Sequence, residues 1–307
     1  MFFFKEYDHC MLCPRKCGVN RNMGQKGYCG SDARLFIGSV CIHKGEEPAI
    51  SGKKGICNVF FSRCNMQCLY CQNHQISLRK GNTQGNYYTL EDLLTEITTI
   101  LNMGVEALGF VTPTHYTPHV KAIIMRLHEL GYRPVTVYNT NSYDNTQIIS
   151  EFEGLIDVYL PDFKYYNSSF ASLYSDTPGY TEAAKASLKE MYRQKGSTVV
   201  LDDEGLAVTG LIIRHLVLPG MTEDSINILK WVASELSPDI HISLMSQYYP
   251  VNEVYDHPIL GRRLEPYEYE KVVLAMNEMG FSKGWMQQPD SADYYKPDFG
   301  LKHPFNE

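Results

Sequence analysis

Between residues 56 and 280 the apolar positions switch repeatedly between two spacings. Residues 56–62 (Ile-Cys-Asn-Val-Phe-Phe-Ser) are a short apolar run bounded by Gly55 and a cysteine-bearing loop, the pattern of a buried strand. Thr89 then stands as an N-cap with Asp92 three residues on. Ahead of it Leu90, Leu93, Leu94, Ile97, Ile100 and Leu101 recur at helical spacing. The alternation continues with a strand over 107–111, a helix through Val120, Ile123, Ile124 and Leu127, a strand over 134–138 and a helix over 146–152. A strand over 158–160, a helix over 181–194, a strand over 211–217 and a helix over 222–236 follow. The last strand is expected over 241–246 and the last helix over 267–279. Parallel strands need a crossover and antiparallel ones do not, so this alternation predicts an α/β fold with a parallel sheet.

Polar residues with chemical potential fall just after the expected strands: Cys64–Cys71, Thr112–His115, Asn139–Asn141, Asp162–Lys164, Pro219–Gly220 and Gln247. In parallel α/β folds, sites gather at the carboxyl ends of the strands, so these six groups predict one shared rim. Residues 1–54 lack apolar periodicity and read as a loop-rich module. The expected division is 1–54, a barrel over 55–260, and a helix and tail over 261–307, with Asp290–Glu307 packing over the barrel or fraying.

Composition narrows the class. Of 307 residues, 44% are hydrophobic and 21% charged, which excludes collagen-like, coiled-coil and largely disordered chains. The net charge is −7, and no Lys/Arg run is long enough for the basic stripe of a duplex binder. The opening Met1-Phe2-Phe3-Phe4 meets Lys5-Glu6 too soon for a signal sequence, and no stretch reads as a membrane span, so the chain reads as cytoplasmic.

All nine cysteines lie between Cys10 and Cys71. In a chain of this size, clustered thiols point to metal ligation or redox chemistry rather than a disulfide framework. Cys41 and Cys57 stand alone and read as small buried hydrophobes. Cys10, Cys13, Cys17 and Cys29 supply four thiolates, enough to close a site around zinc or an auxiliary iron–sulfur cluster, with Gly18, Gly24, Gly27 and Gly30 providing the turns. Cys64, Cys68 and Cys71 supply only three. On a [4Fe–4S] cubane, three thiolates leave one iron corner open to a small chelating ligand. The bland alternative is a zinc site completed by a distant ligand such as His74.

The spacing Cys-x3-Cys-x2-Cys directly after a first strand, with Tyr70 before the last cysteine, resembles the radical S-adenosylmethionine (SAM) superfamily. Residues 56–250 resemble its pyruvate formate-lyase activating enzyme branch. The Cys10–Pro14 motif and Cys71-Gln72-Asn73 resemble those activase relatives that carry an N-terminal cysteine motif. The resemblance implies a partial (β/α)6 barrel with an N-terminal Cys-rich loop module. It also implies that Cys64, Cys68 and Cys71 hold a catalytic [4Fe–4S] cluster, that SAM is the second cofactor, and that Tyr70 lies by the adenine. Asn139-Thr140-Asn141 matches the family's Asp-Thr-Asn stretch, which brings Thr140 and Asn141 to the cofactor. Leu160–Lys164 matches Leu-Asp-Leu-Lys, making Asp162 and Lys164 candidates for the ribose and the methionine carboxylate. Ile213–Gly220 matches an Ile-Arg…Val-Pro-Gly strand and turn, bringing Arg214 near the cofactor.

There are departures. Where the family has Gly-Gly-Glu this chain reads Val111-Thr112-Pro113-Thr114-His115. The hydroxyls of Thr112 and Thr114 are the substitutes, and an anionic partner for the methionine amine is missing. Asn139 replaces an aspartate of a nearby cation site, and Gln247 falls where the activase has a histidine. The implied activity is reductive cleavage of SAM and hydrogen abstraction from a glycine of a glycyl radical enzyme, with flavodoxin or ferredoxin as electron donor. A peptide, an RNA or a small metabolite as substrate, and a zinc-binding interaction protein, are the alternatives. Lys164 has a plain reading as a surface lysine, and His115 and His119 as core or capping residues.

Overall fold

The structure is a computed structural model, and it describes residues 3–79, 81–288, 291, 296–301 and 303–305. Met1, Phe2 and parts of the tail expected over Asp290–Glu307 lie outside the described residues.

Among the described residues ten strands form one sheet system. In chain order they are β1 (Leu35–His43), β2 (Ile56–Phe61), β3 (Asn86–Tyr88), β4 (Ala107–Val111), β5 (Val135–Thr140), β6 (Val158–Pro161), β7 (Val200–Leu201), β8 (Ala207–Leu216), β9 (His241–Met245) and β10 (Gly284–Met286). The path runs β10-β9-β8-β6-β5-β4-β2-β1-β3, with β7 paired to β8. Every neighbouring pair from β2 to β10 is parallel. β1 joins β2, and β3 joins β1, antiparallel. The sheet ends at β3 and β10 rather than closing, which makes it the partial α/β barrel expected.

Local chemistry explains the elements. β2 is buried at all six positions, as a central parallel strand must be when both faces are covered. The helix Leu90–Leu101 starts where the Thr89 side chain accepts the Asp92 backbone N–H. It buries Leu90, Leu93, Leu94, Ile97 and Leu101 along one face. Helices Thr117–Glu129, Thr146–Ser150, Tyr180–Lys195 and Thr222–Glu235 cover the successive crossovers, and Pro266–Glu278 links β9 to β10.

The expected strands and helices all form, with shifted ends. β5 runs two residues beyond the expected 138, because Asn139 and Thr140 still pair with Leu160 and Pro161 on β6. β8 begins at Ala207 because β7 pairs with its first residues. Several elements escaped the sequence, the two- and three-residue strands β7 and β3 and the one-turn helices Pro48–Ser51 and His74–Ser77 among them. β1 lies inside the segment read as loops; its glycine and serine positions, Gly38 and Ser39, break the apolar alternation beside a register shift opposite β2. Helix Ser168–Ser175 is serine-rich and held by the Asn167 side chain at its N-terminus, and β10 is only three residues long. The described part of the tail packs over the barrel, with Phe299 and Phe305 ring centroids 5.3 and 5.5 Å from that of Phe60. Cys41 and Cys57 are buried apolar positions of β1 and β2, as read from the sequence. Among the described residues no helix is long and apolar enough to cross a membrane.

Candidate functional site

The loop Cys64–Cys71 leaves the carboxyl end of β2 and folds back over the barrel mouth. Its three cysteines line one cavity of about 210 Å³ together with Tyr70, Thr112, Thr140, Asn141, Asp162, Lys164, Arg214 and Gln247. The rim expected from the sequence is therefore assembled from the ends of β2, β4, β5, β6, β8 and β9. Backbone strain gathers there too. Arg63, Thr112 and Ser142, just past β2, β4 and β5, all have positive φ (70°, 55° and 62°) without being glycine. Such residues cost of order 1–3 kcal/mol each, and they persist where the surroundings fix them.

Each thiol has its own hydrogen-bond donor. Cys64 Sγ accepts from the Met66 backbone N–H and from Asn141 Nδ2, both at 3.4 Å. Cys68 Sγ accepts from Ser175 Oγ at 3.0 Å, and Cys71 Sγ from Ser77 Oγ at 3.3 Å. Burial pushes all three thiols up, Cys68 to about 11, against the pull of the Lys164 ammonium. Burial disfavours the thiolate form, while the oriented donors and the nearby ammonium favour it. His74 does not join them: its Nδ1 lies 3.2 Å from the Cys71 carbonyl. Among the described residues no three His, Cys, Asp or Glu side chains draw close enough to share one metal ion.

Tyr70 is buried, with its ring beside those of Tyr165 and Tyr248. The Tyr165 hydroxyl donates to that of Tyr70 at 2.7 Å and lies 2.7 Å from Ser175 Oγ, tying the aromatic wall to the Cys68 donor. Lys164 Nζ donates to Asp162 Oδ2 at 2.6 Å. Burial opposes the Lys164 charge, but Asp162 and the Cys68 thiol outweigh it and hold its pKa above the usual lysine range. Tyr180, which the sequence reading missed, clamps this edge. Its hydroxyl donates toward the Asn141 and Asp162 carbonyls, both at 3.1 Å, and accepts the Lys164 backbone N–H at 2.8 Å.

Several expectations need correction. Thr114 does not line the cavity. Its hydroxyl donates to Asp144 Oδ1 at 2.8 Å, because the buried Asp144 carboxylate needs donors and also takes those of Thr140 (2.6 Å) and Tyr138 (3.1 Å). Arg214 lines the cavity, but its guanidinium is committed elsewhere. Its Nε donates to Glu47 Oε1 at 2.8 Å, and Nη2 contacts both Glu47 and Glu46. Glu46 also accepts from Asn58 Nδ2 at 2.8 Å, and Gly109 leaves room for that amide, since a Cβ there would stand 2.0 Å from Asn58 Oδ1. The two glutamates were missed; the signal was Arg214 itself, a cation in an apolar strand that needed an anion. Gln247 lines the cavity with its amide engaged by Gln72 (3.1 Å) and Gln287 (2.6 Å). His115 and His119, by contrast, are core residues in keeping with their plain reading, bonded to the Ser62 carbonyl and the Tyr7 hydroxyl, and burial pushes both down to about 3.

A second chamber of about 380 Å³ adjoins the first and shares Arg214, Asn139 and Gln247 with it. Six carboxamides line it: Gln72, Asn73, Asn139, Gln247, Gln287 and Gln288.

The chain belongs to the Radical SAM superfamily, whose family model matches residues 58–232. Membership brings a [4Fe–4S] cluster and SAM as its cofactors. An uncharacterized protein of Methanocaldococcus jannaschii, MJ0674, is 26% identical over 272 residues, 87% of this chain and 74% of its own. Among solved structures, HydG, a maturase of the [FeFe]-hydrogenase, has a TM-score of 0.50 at 11% identity over 73% of this chain and 48% of its own. A domain of a pyruvate-formate lyase-activating enzyme from Bacteroides vulgatus has a TM-score of 0.39 at 14% identity, over 56% of this chain and 93% of that domain. The chain spans about half the length of the larger solved structures it matches.

Proposed function

We propose that this chain is a cytoplasmic radical SAM enzyme in which Cys64, Cys68 and Cys71 carry the cluster and the adjoining cavity takes SAM. The observation behind this reading is the set of three thiols in one cavity, each with its own donor. Residues 55–260 then form the catalytic barrel, to which β1 of the 1–54 cysteine-rich module and β10 of the 261–307 segment add strands. When bound, the cluster and SAM together supply reductive C–S cleavage and a primary carbon radical able to take hydrogen from an unactivated C–H bond. The residues around them bind and orient. Tyr70 offers an aromatic wall for the adenine, the Asp162 carboxylate an acceptor for ribose hydroxyls, and the Lys164 ammonium a partner for the methionine carboxylate. Thr112, Thr140 and Asn141 hold the rim beside it.

The substrate reading follows the motif resemblance to the activase branch: a glycine in a partner protein, with flavodoxin or ferredoxin as reductant. The carboxamide-lined chamber supports a peptide substrate, since carboxamides pair with backbone N–H and C=O groups. The net charge of −7 argues against RNA.

The test is anaerobic. Protein reconstituted with iron and sulfide, reduced and given SAM, is expected to release 5′-deoxyadenosine; no product from the wild type overturns the reading. A radical signal on a co-purifying glycyl radical enzyme would support the glycine target. Lys164→Gln is expected to raise the KM for SAM about 10–100-fold, the size of one lost charge-assisted hydrogen bond. An unchanged KM would remove Lys164 from the cofactor. Ser175→Ala is expected to move the cluster's reduction potential to more negative values, because a donor to a thiolate favours the more negatively charged, reduced state. Potentiometric titration reads this directly, and an unmoved potential would show that Ser175 does not tune Cys68.

A further inference from the structure

Cys10, Cys13, Cys17 and Cys29 sit outside the cavity just described, in a loop folded on itself. The Cys10 N–H donates to the Val19 carbonyl and the Gly18 N–H to the Cys10 carbonyl, both at 3.0 Å. The Tyr28 N–H donates to Cys17 Sγ at 3.3 Å. A Cβ on Gly27 would stand 2.9 Å from that sulfur, so only glycine lets the segment before Cys29 approach it. Cys29 is buried, Cys10 and Cys13 are half-buried and Cys17 is exposed, so the set runs from the inside of the loop to its surface.

Beside them is a cation with no anion. Arg21 is 1% exposed. Its N–H groups donate only to carbonyls: Nε and Nη2 to Asp32 O at 3.1 and 2.7 Å, and Nη1 to His115 O at 2.5 Å. Its guanidinium lies 4.1 Å over the Tyr7 ring and 5.2 Å over that of Tyr116. Among the described residues no carboxylate pairs with it, and the Asp32 carboxylate is taken by Arg34 at 2.6 Å. The ionisable groups that act on it are Tyr7, Cys29, Tyr116 and Cys10. Arginine does not shed its proton in a protein, and a buried charge without a counter-charge is costly. Phenols are neutral at pH 7, and ordinary thiols largely so, but metal-bound cysteines are thiolates.

We propose that Cys10, Cys13, Cys17 and Cys29 hold a second metal centre, closed by four thiolates, whose negative charge is the counter-ion of Arg21. Four thiolates give either a Zn²⁺ ion or a [4Fe–4S]²⁺ core a net charge of about −2, so both supply the missing anion. Loading draws the thiols inward around a single ion or spans them with a polynuclear core. The centre is also tied to the catalytic loop. Arg15, between Cys13 and Cys17, stacks on Tyr28 (3.4 Å) and donates from Nε to the Asn65 carbonyl at 3.1 Å, next to Cys64. Arg21 reaches the barrel rim through His115, whose Nε2 lies 2.9 Å from the Ser62 carbonyl.

The test separates this centre from the first. A full-length variant with Cys64, Cys68 and Cys71 all changed to Ala, purified anaerobically, is expected to retain about one zinc, or about four irons with matching sulfide, per chain. Either result supports the proposal and names the metal; absence of both overturns it. In that background Cys17→Ser, at the exposed member of the set, is expected to release the metal, and full retention overturns the ligand assignment. Arg21→Met is expected to weaken retention against a chelator about 10–100-fold, with Arg21→Lys restoring most of it. Equal retention in Arg21→Met overturns the counter-ion role, and if that variant does not fold, retention in Arg21→Lys well below wild type does the same.

Discussion

Cys68→Ala is expected to abolish 5′-deoxyadenosine formation, by about 10³-fold or more, in protein reconstituted and reduced under conditions where the wild type turns over. The size follows from the geometry. The three thiols are distributed around one cavity, so no neighbouring cysteine can take the place of a missing one. Cys41 and Cys57 are buried inside β1 and β2, and Cys10, Cys13, Cys17 and Cys29 do not line this cavity. Removal of Cys68 also takes an acceptor from the Ser175 hydroxyl, which keeps its contact with Tyr165. Iron content should fall with the activity while the fold, measured by far-UV circular dichroism, is retained, because Cys68 is only half-buried and no strand depends on it. Unaltered product formation would remove the three-cysteine loop from the chemistry.

The parallel sheet was legible because each strand–helix unit repeats its own pattern, and because the polar groups at successive strand ends share one side by construction. That Cys64, Cys68 and Cys71 meet at one cavity was legible from their spacing, since a tight loop keeps its own side chains together. Residues supplied from distant parts of the chain were not. Glu46 and Glu47 come from the loop after β1, which the sequence presents as an unpatterned, charged stretch. Tyr180 lies at the start of a helix, where its ring reads as one more apolar position; only the fold turns its hydroxyl to the Asn141–Lys164 edge. Thr114 misled for the converse reason. A threonine just past a strand end has the right address for the rim, but the buried Asp144 carboxylate, invisible as such in the sequence, takes its hydroxyl.

Arg214→Met is expected to destabilise the protein by about 3–5 kcal/mol near pH 7, the cost of leaving buried carboxylates without their cation. Arg214, Glu46 and Glu47 side chains are 12%, 8% and 5% exposed, so water cannot take over the pairing. The pH dependence gives the effect a signature. In the wild type, burial alone would raise the Glu46 carboxyl, but Arg214 and then His43 outweigh it and hold it below its ordinary value of 4.5. That contribution is present above the unfolded value and is lost as pH falls through the depressed folded one. In the variant burial is no longer opposed by Arg214, so the folded value shifts upward and the penalty grows as pH rises. The gap between the two proteins should therefore be widest near neutrality and narrow toward about pH 5 and below, as read from denaturant unfolding at several pH values. Adding Glu46→Gln and Glu47→Gln to Arg214→Met removes the stranded charges and should recover most of the loss. If it does not, or if the gap is flat with pH, Arg214 acts through packing between the two chambers, and its charge is not what holds the loop after β1 against the barrel.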